Sequence, residues 1–201
     1  MNRHDTQQRR RATPRSATET SGNCRCPQQR GLCEGLNSIM ERNLAAYRFV
    51  GRQIVQVDSD TDVEAIEDAL ADTTGVPGAQ HHLGQALAHL ADRKNPDYAN
   101  SIKESVSAVE SVCRQITSKP KATLGDGIKA LKSAGVTIHP ALEKGWLSLY
   151  GYTSDADGVR HAALDKPDLD QADARYFLVS CAAFVSLLLH HARDVKLVGE
   201  P

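Results

Sequence analysis

Residues 98–117 read Tyr-Ala-Asn-Ser-Ile-Lys-Glu-Ser-Val-Ser-Ala-Val-Glu-Ser-Val-Cys-Arg-Gln-Ile-Thr, and this stretch decides the fold class. Its apolar residues recur every three or four positions, which is the repeat of an α-helix. They are Ile102, Val106, Val109, Cys113 and Ile116. Asn95-Pro96-Asp97 stands just before and supplies a helix end and a cap. The stretch predicts a long amphipathic helix with one face packed on other helices.

A second stripe of the same helix is polar and carries candidate functional groups. It consists of Asn100, Lys103, Ser107, Glu110 and Arg114. Lys103 and Ser107 are i,i+4 neighbours, as are Glu110 and Arg114. The stripe is either a solvated face with one ordinary ion pair or a set of groups that supports a site. Spacing alone favours the solvated face.

Helical periodicity continues on both sides of this stretch. We predict helices over about 36–46, after the caps at 58–62, and over 79–92, 123–134, 140–150 and 170–193. The last of these is apolar nearly all round. It is therefore either the central core element or half of a subunit interface.

The predicted β structure is confined to residues 47–57, where two alternating arms flank Gly51-Arg52, a plausible two-residue turn. Residues 1–34 are Arg-rich, polar and without periodicity, so we expect disorder there. The predicted fold is mainly α: a helical bundle preceded by a small β-hairpin and a disordered leader. We divide the chain into the leader, a 35–75 unit that packs on the bundle, and a helical domain over 76–195.

The charge balance points to no general partner. A formal net charge of −1 over 201 residues gives no global reason for nucleic-acid or membrane binding. The leader alone holds seven Arg against three acidic residues, so nucleic-acid binding by the leader is a separate hypothesis. The longest charge-free apolar run, 176–189, is 14 residues, against about 20 needed to cross a bilayer. With no secretory signal, we expect a cytoplasmic protein with reduced thiols and no membrane partner.

No motif for a metal or cofactor stands out. Cys24, Cys26 and Cys33 are spaced C-x-C-x6-C, but no fourth Cys or His stands near to complete a zinc knuckle. Gly-rich phosphate loops and nucleophile elbows are missing from the sequence. Cys113 and Cys181 lie on apolar faces and are interpreted as core residues. We therefore expect no cofactor and no metal ion.

The stretch Tyr150-Gly-Tyr-Thr-Ser-Asp-Ala-Asp-Gly-Val-Arg-His161, called the motif below, concentrates aromatic, acidic and cationic groups between two helices. The guanidinium of Arg160 can bind a phosphate through two hydrogen bonds, and His161 can exchange protons near neutral pH. A metal-free ribonuclease needs these two groups. In the competing interpretation, Arg160 pairs with Asp155 or Asp157 and merely locks the loop. Residues alone leave the two interpretations nearly balanced.

Three segments, Asn100–Glu110, Leu124–Lys129 and Leu149–His161, carry a family resemblance. They resemble prokaryotic abortive-infection-type proteins whose C-terminal half is a HEPN-like helical domain. The 47–57 hairpin is similar to the stretch that precedes that domain, and the resemblance covers about 36–193. It implies a helical bundle, often dimeric, with anti-phage defence as a frequent setting and RNA cleavage as a frequent activity.

The chain departs from the usual HEPN nuclease pattern, in which an Arg is followed by a His four to six residues later. Arg160 and His161 are adjacent instead. Two hypotheses follow. In the first, the chain is a metal-independent endoribonuclease acting in antiviral defence, with Arg160 and His161 as catalytic residues. Its supporting residues would be Lys103, Glu110, Asp155, Asp157 and Tyr152. In the second, it is a non-catalytic dimeric helical binding or regulatory module.

Overall fold

The structure, a computed structural model, describes residues 27–57, 59–154 and 169–199. This part of the chain is mainly helical, with seven α-helices and one two-stranded antiparallel hairpin, which confirms the predicted fold class. The elements are α1 Pro27–Arg42, β1 Arg48–Val50, β2 Gln53–Val55, α2 Asp60–Asp72, α3 Pro77–Ala91, α4 Tyr98–Thr117, α5 Leu124–Ser133, α6 Pro140–Ser154 and α7 Gln171–Asp194. A single 3-10 turn, Thr73–Gly75, joins α2 to α3.

Helix α4 is the centre of the bundle and has the bounds that its sequence predicts. It packs against α3, α5, α6 and α7. The carboxylate of Asp97 caps its first turn by accepting from the Asn100 backbone N–H at 3.0 Å. At the other end Ser118 adopts a left-handed backbone with φ 54°, which ends the helix. The five residues of the predicted apolar stripe are all buried.

Helix α7 is a core element of the bundle, as the first of the two interpretations of its apolar sequence predicts. It packs on α4 and α2 and buries nine side chains. Within the described residues, α7 is also the one helix long and apolar enough to cross a bilayer, and 44% of that stretch is buried inside the bundle. Core helices commonly have the same composition, so the length and composition of α7 are only weak evidence for a membrane span.

The hairpin forms as predicted, with Val50 paired to Gln53 across a two-residue turn. Gly51 has φ 57°, a backbone conformation that favours glycine, so this turn depends on it. Asn37 of α1 exchanges two hydrogen bonds with the Phe49 backbone, at 2.9 and 2.6 Å. The hairpin packs in turn on α2 and α3, which supports two strands that would be marginal alone.

Two element boundaries differ from the predicted ones. Helix α1 begins at Pro27 rather than at residue 36, so the prediction of disorder is wrong for residues 27–34, which are helical. Their sequence has few apolar residues to reveal a period, and Leu32 is 64% exposed. Helix α6 runs to Ser154 rather than to residue 150, so the first five residues of the motif are helical, not a loop. Packing of this helix end on α4 overrides the weak helix propensity of Gly151.

Candidate functional site

The predicted site residues divide into two groups. Lys103 and Glu110 lie on α4, and Tyr152 lies on α6. Asp155, Asp157, Arg160 and His161 lie outside the described residues, as do Cys24 and Cys26. The described part of the site is therefore the end of α6, the beginning of α7 and the face of α4 between them.

Glu110 is the polar centre of this region. Its side chain is buried, with a residue exposure of 7%. The Tyr150 hydroxyl donates to its Oε1 at 2.5 Å, and Arg114 Nη2 donates to its Oε2 at 2.7 Å. A buried carboxylate needs such partners, because burial of an unpaired charge costs several kcal/mol or more. The Glu110–Arg114 pair predicted from i,i+4 spacing is present. The interpretation as a wholly solvated face is wrong at Glu110.

Lys103 occupies a different environment, although it lies on the same predicted stripe. Its side chain is exposed, whereas Glu110 is buried. Seven residues of helix separate the two by about 10.5 Å along the axis. Among the described residues, no hydrogen bond or ion pair joins Lys103 to Glu110. Lys103 therefore offers an exposed cation near the site and not a direct partner of the carboxylate.

Tyr152 belongs to an aromatic cluster with Phe177 and Tyr176 of α7. The Tyr152 and Phe177 rings stack with centroids 5.8 Å apart and planes 10° apart. Tyr176 meets Phe177 edge to face at 5.5 Å. The two tyrosines are 55% and 57% exposed, so each presents a large part of its side chain to solvent. Exposed aromatic faces of this kind can stack on nucleobases.

Beneath this cluster lies an apolar cavity of about 130 Å³ between α4, α6 and α7. The Trp146 and Phe184 rings pack there with centroids 4.3 Å apart. The cavity is lined by Val106, Val109, Leu124, Trp146, Leu149, Tyr150, Phe177, Ser180, Cys181 and Phe184. The cavity wall is therefore mostly apolar and holds few groups that can take part in acid–base chemistry.

The two thiols near the site are inert core groups, as predicted. Burial raises the pKa of Cys181 to about 12. Burial, and then the negative charge of Glu110, raise the pKa of Cys113 to about 12. Both thiols stay protonated at neutral pH, and the thiolate is the reactive form. Neither is a candidate nucleophile.

A polar pair that the sequence does not reveal joins α3 to α4. His82 Nδ1 lies 2.6 Å from Glu104 Oε2, and both side chains are half-buried. Because a carboxylate only accepts, Nδ1 is the donor in this contact. The two residues are 22 positions apart, so searching for partners within one helix could not find them. Helical periodicity does place each on its helix, but only the packing register of α3 on α4 brings them together.

Comparison of the chain with models of protein families, with curated proteins and with solved structures gives no match.

Proposed function

We propose that this chain is a HEPN-like protein of abortive-infection type that cleaves RNA without a metal ion in the cytoplasm. Arg160 holds the scissile phosphate and His161 transfers protons. The resemblance in the motif motivates the assignment. The observation that carries it is the Tyr150–Glu110 hydrogen bond, because it ties the first residue of the motif to the polar stripe of the central helix.

The fixed end of α6 supports this role. Tyr150 is held by α4, and Tyr152 is stacked on α7, so the chain enters the rest of the motif from a defined position. On the far side, Asp170 caps α7 by accepting from the backbone N–H groups of Ala172 and Asp173. A catalytic constellation needs such rigid flanking elements, since small displacements of the reacting groups cost large factors in rate.

Charge and stacking also suit an RNA substrate. Glu110 would repel a phosphate if it were unpaired, but Arg114 compensates its charge at 2.7 Å. Lys103 adds an exposed cation on the same helix. The exposed rings of Tyr152 and Tyr176 offer sequence-tolerant contacts to unpaired bases. These features predict single-stranded RNA as the substrate.

The test compares RNA cleavage by the full chain in the presence of EDTA. Wild type is expected to cleave, and Arg160→Ala/His161→Ala to lose about 100-fold or more in rate. A matched control, Arg52→Ala/His81→Ala, removes one exposed Arg and one exposed His elsewhere and should keep the wild-type rate. Expression of wild type should arrest growth, and the motif variant should not. The catalytic assignment fails if wild type cuts RNA no faster than the motif variant.

A non-catalytic dimeric module is the second candidate, and exposed apolar residues on α6 favour it. Leu142 is 47% exposed and Leu147 is 38% exposed. Since α7 is used inside the bundle, α6 is the better interface candidate for a homodimer. If the module proposal holds, Leu147→Glu should shift the chain from dimer to monomer in sedimentation. In that case RNA cleavage should be absent from wild type and variant alike.

A further inference from the structure

The last turn of α7 places three metal-ligating side chains together. His190 Nε2 lies 3.3 Å from Asp194 Oδ2. With His191, the three donor atoms lie within 4.8 Å of one another. Two ligands of a tetrahedral zinc ion, each 2.0–2.1 Å from the metal, stand about 3.4 Å apart. His190 and Asp194 therefore already have the spacing of two zinc ligands, and His191 can join them by a side-chain rotation.

We propose that His190, His191 and Asp194 form a surface site for one divalent transition-metal ion, with Zn²⁺ as the best fit and water in the fourth position. Two imidazoles and one carboxylate suit zinc, whereas Mg²⁺ and Ca²⁺ prefer all-oxygen ligand sets. This reverses the expectation that the chain binds no metal. Asp194 stands at i+4 from His190, on the same face of α7, and completes the set.

The local electrostatics favour a cation here. The aligned peptide dipoles of a helix give its C-terminal end partial negative charge, which stabilises positive charge there. The neighbouring cation, Arg193, is occupied elsewhere: its Nη2 donates to the Asp72 carbonyl at 2.6 Å, and its Nη1 lies 3.5 Å from the Asp72 carboxylate. Arg193 therefore does not occupy the place of the metal.

The ligands of the proposed site are exposed to solvent, which determines how an ion would bind. The side chains of His190 and Asp194 are 68% and 58% exposed, so an ion reaches them without any opening of the bundle. Exposed ligands are held less rigidly than those of a buried site, so we expect reversible binding. The site lies about 20 Å along the helix from Phe177, because 13 residues separate it from that ring. Its test is thus independent of the RNA proposal.

The experiment is calorimetric titration of the metal-free full chain with ZnCl₂. Since thiols also bind zinc, every protein carries Cys24→Ser, Cys26→Ser and Cys33→Ser. We expect one bound Zn²⁺, and at least a tenfold weaker affinity for His190→Ala/His191→Ala. The matched control, His81→Ala/His139→Ala, also removes two exposed histidines and should bind as tightly as the parent.

Asp194→Asn gives a second variant that keeps the side-chain size and should weaken binding in the same direction. Circular dichroism checks that each variant keeps its helix content. If the alanine variant loses helix content, Asp194→Asn alone decides the question. The proposal is overturned if the parent binds no zinc. It is also overturned if removal of the α7 ligands leaves the affinity unchanged, or if the control loses affinity equally.

Discussion

The hydroxyl of Tyr150 donates a 2.5 Å hydrogen bond to the buried carboxylate of Glu110, although 40 residues separate the two in the chain. This contact fastens the end of α6 to the central helix. We expect Tyr150→Phe to lower the free energy of unfolding by about 1–3 kcal/mol, because a buried acceptor loses a donor. Urea denaturation measures the loss. Tyr152→Phe removes an equivalent hydroxyl from an exposed side chain and should cost little, so equal effects of the two variants would contradict the prediction.

Substitution of the two exposed aromatic residues tests the RNA contact separately from the chemistry. Tyr152→Ala and Tyr176→Ala should each weaken binding of single-stranded RNA by about 1–3 kcal/mol if each ring stacks on one base. Fluorescence anisotropy with a labelled RNA gives the affinity. Tyr47→Ala is the control. The Tyr47 ring lies next to the hairpin, and the Arg93 guanidinium lies over its face. An affinity that is equally insensitive to all three substitutions argues against stacking.

Gly127 of α5 lies directly against α4. A Cβ added there would stand 2.6 Å from the Cys113 Sγ and 3.0 Å from the Cys113 Cβ. Gly127→Ala should therefore destabilise the fold by about 1–3 kcal/mol through overpacking. Gly145→Ala is the matched control, since nothing lies within 4 Å of its Cβ position. That control should stabilise α6 by about 0.5–1 kcal/mol. Thermal unfolding of both variants shows whether each substitution lowers or raises the stability. An increase in stability for Gly127→Ala would contradict the close contact.

Asp126 makes stability depend on pH through its cap. Its carboxylate accepts from the Thr123 backbone N–H at 2.9 Å and from the Thr123 hydroxyl at 2.8 Å. These hydrogen bonds lower the pKa of Asp126 below its ordinary value. A lowered folded-state pKa gives stability that is present above the unfolded pKa and is lost as the pH falls through the folded one.

The difference in unfolding free energy between wild type and Asp126→Asn should therefore shrink as the pH is lowered from 7 to below 3. Denaturant titrations at several pH values measure it. If the difference in unfolding free energy grows as the pH falls, the carboxylate is not the stabilising form.

Thiol reactivity should separate the buried cysteines from the others. The pKa of Cys113 and of Cys181 is raised to about 12, so both should resist iodoacetamide at pH 8 in the folded chain. Cys33 is only partly buried and should react faster than Cys113 or Cys181. Mass spectrometry of the labelled peptides gives the order, and rapid native labelling of Cys181 would contradict its burial. A raised pKa also means that stability present below pH 9 declines as the pH rises toward 12.

Local features were predictable because they depend on residues close in sequence. The α4 period, the Asp97 cap and the Gly51 turn all involve neighbours within four positions. The same rule explains the failures. The predicted start of α1 is too late because its first residues carry no apolar period, and the predicted end of α6 is too early because Gly151 is a weak helix former. At Gly151, packing of α6 on α4 outweighs the local preference.

The candidate site divides in the same way. Sequence alone singled out Glu110, Arg114 and Tyr152 and placed the first two on one helical stripe, because the helix repeat fixes which residues share a face. Sequence could not give the burial of Glu110, its bond to Tyr150, or the His82–Glu104 pair. Those depend on how helices far apart in the chain are set against one another, which is determined by the packing of whole faces. The amino-acid order thus determined the helices and their faces, and only the tertiary structure decided which polar groups meet.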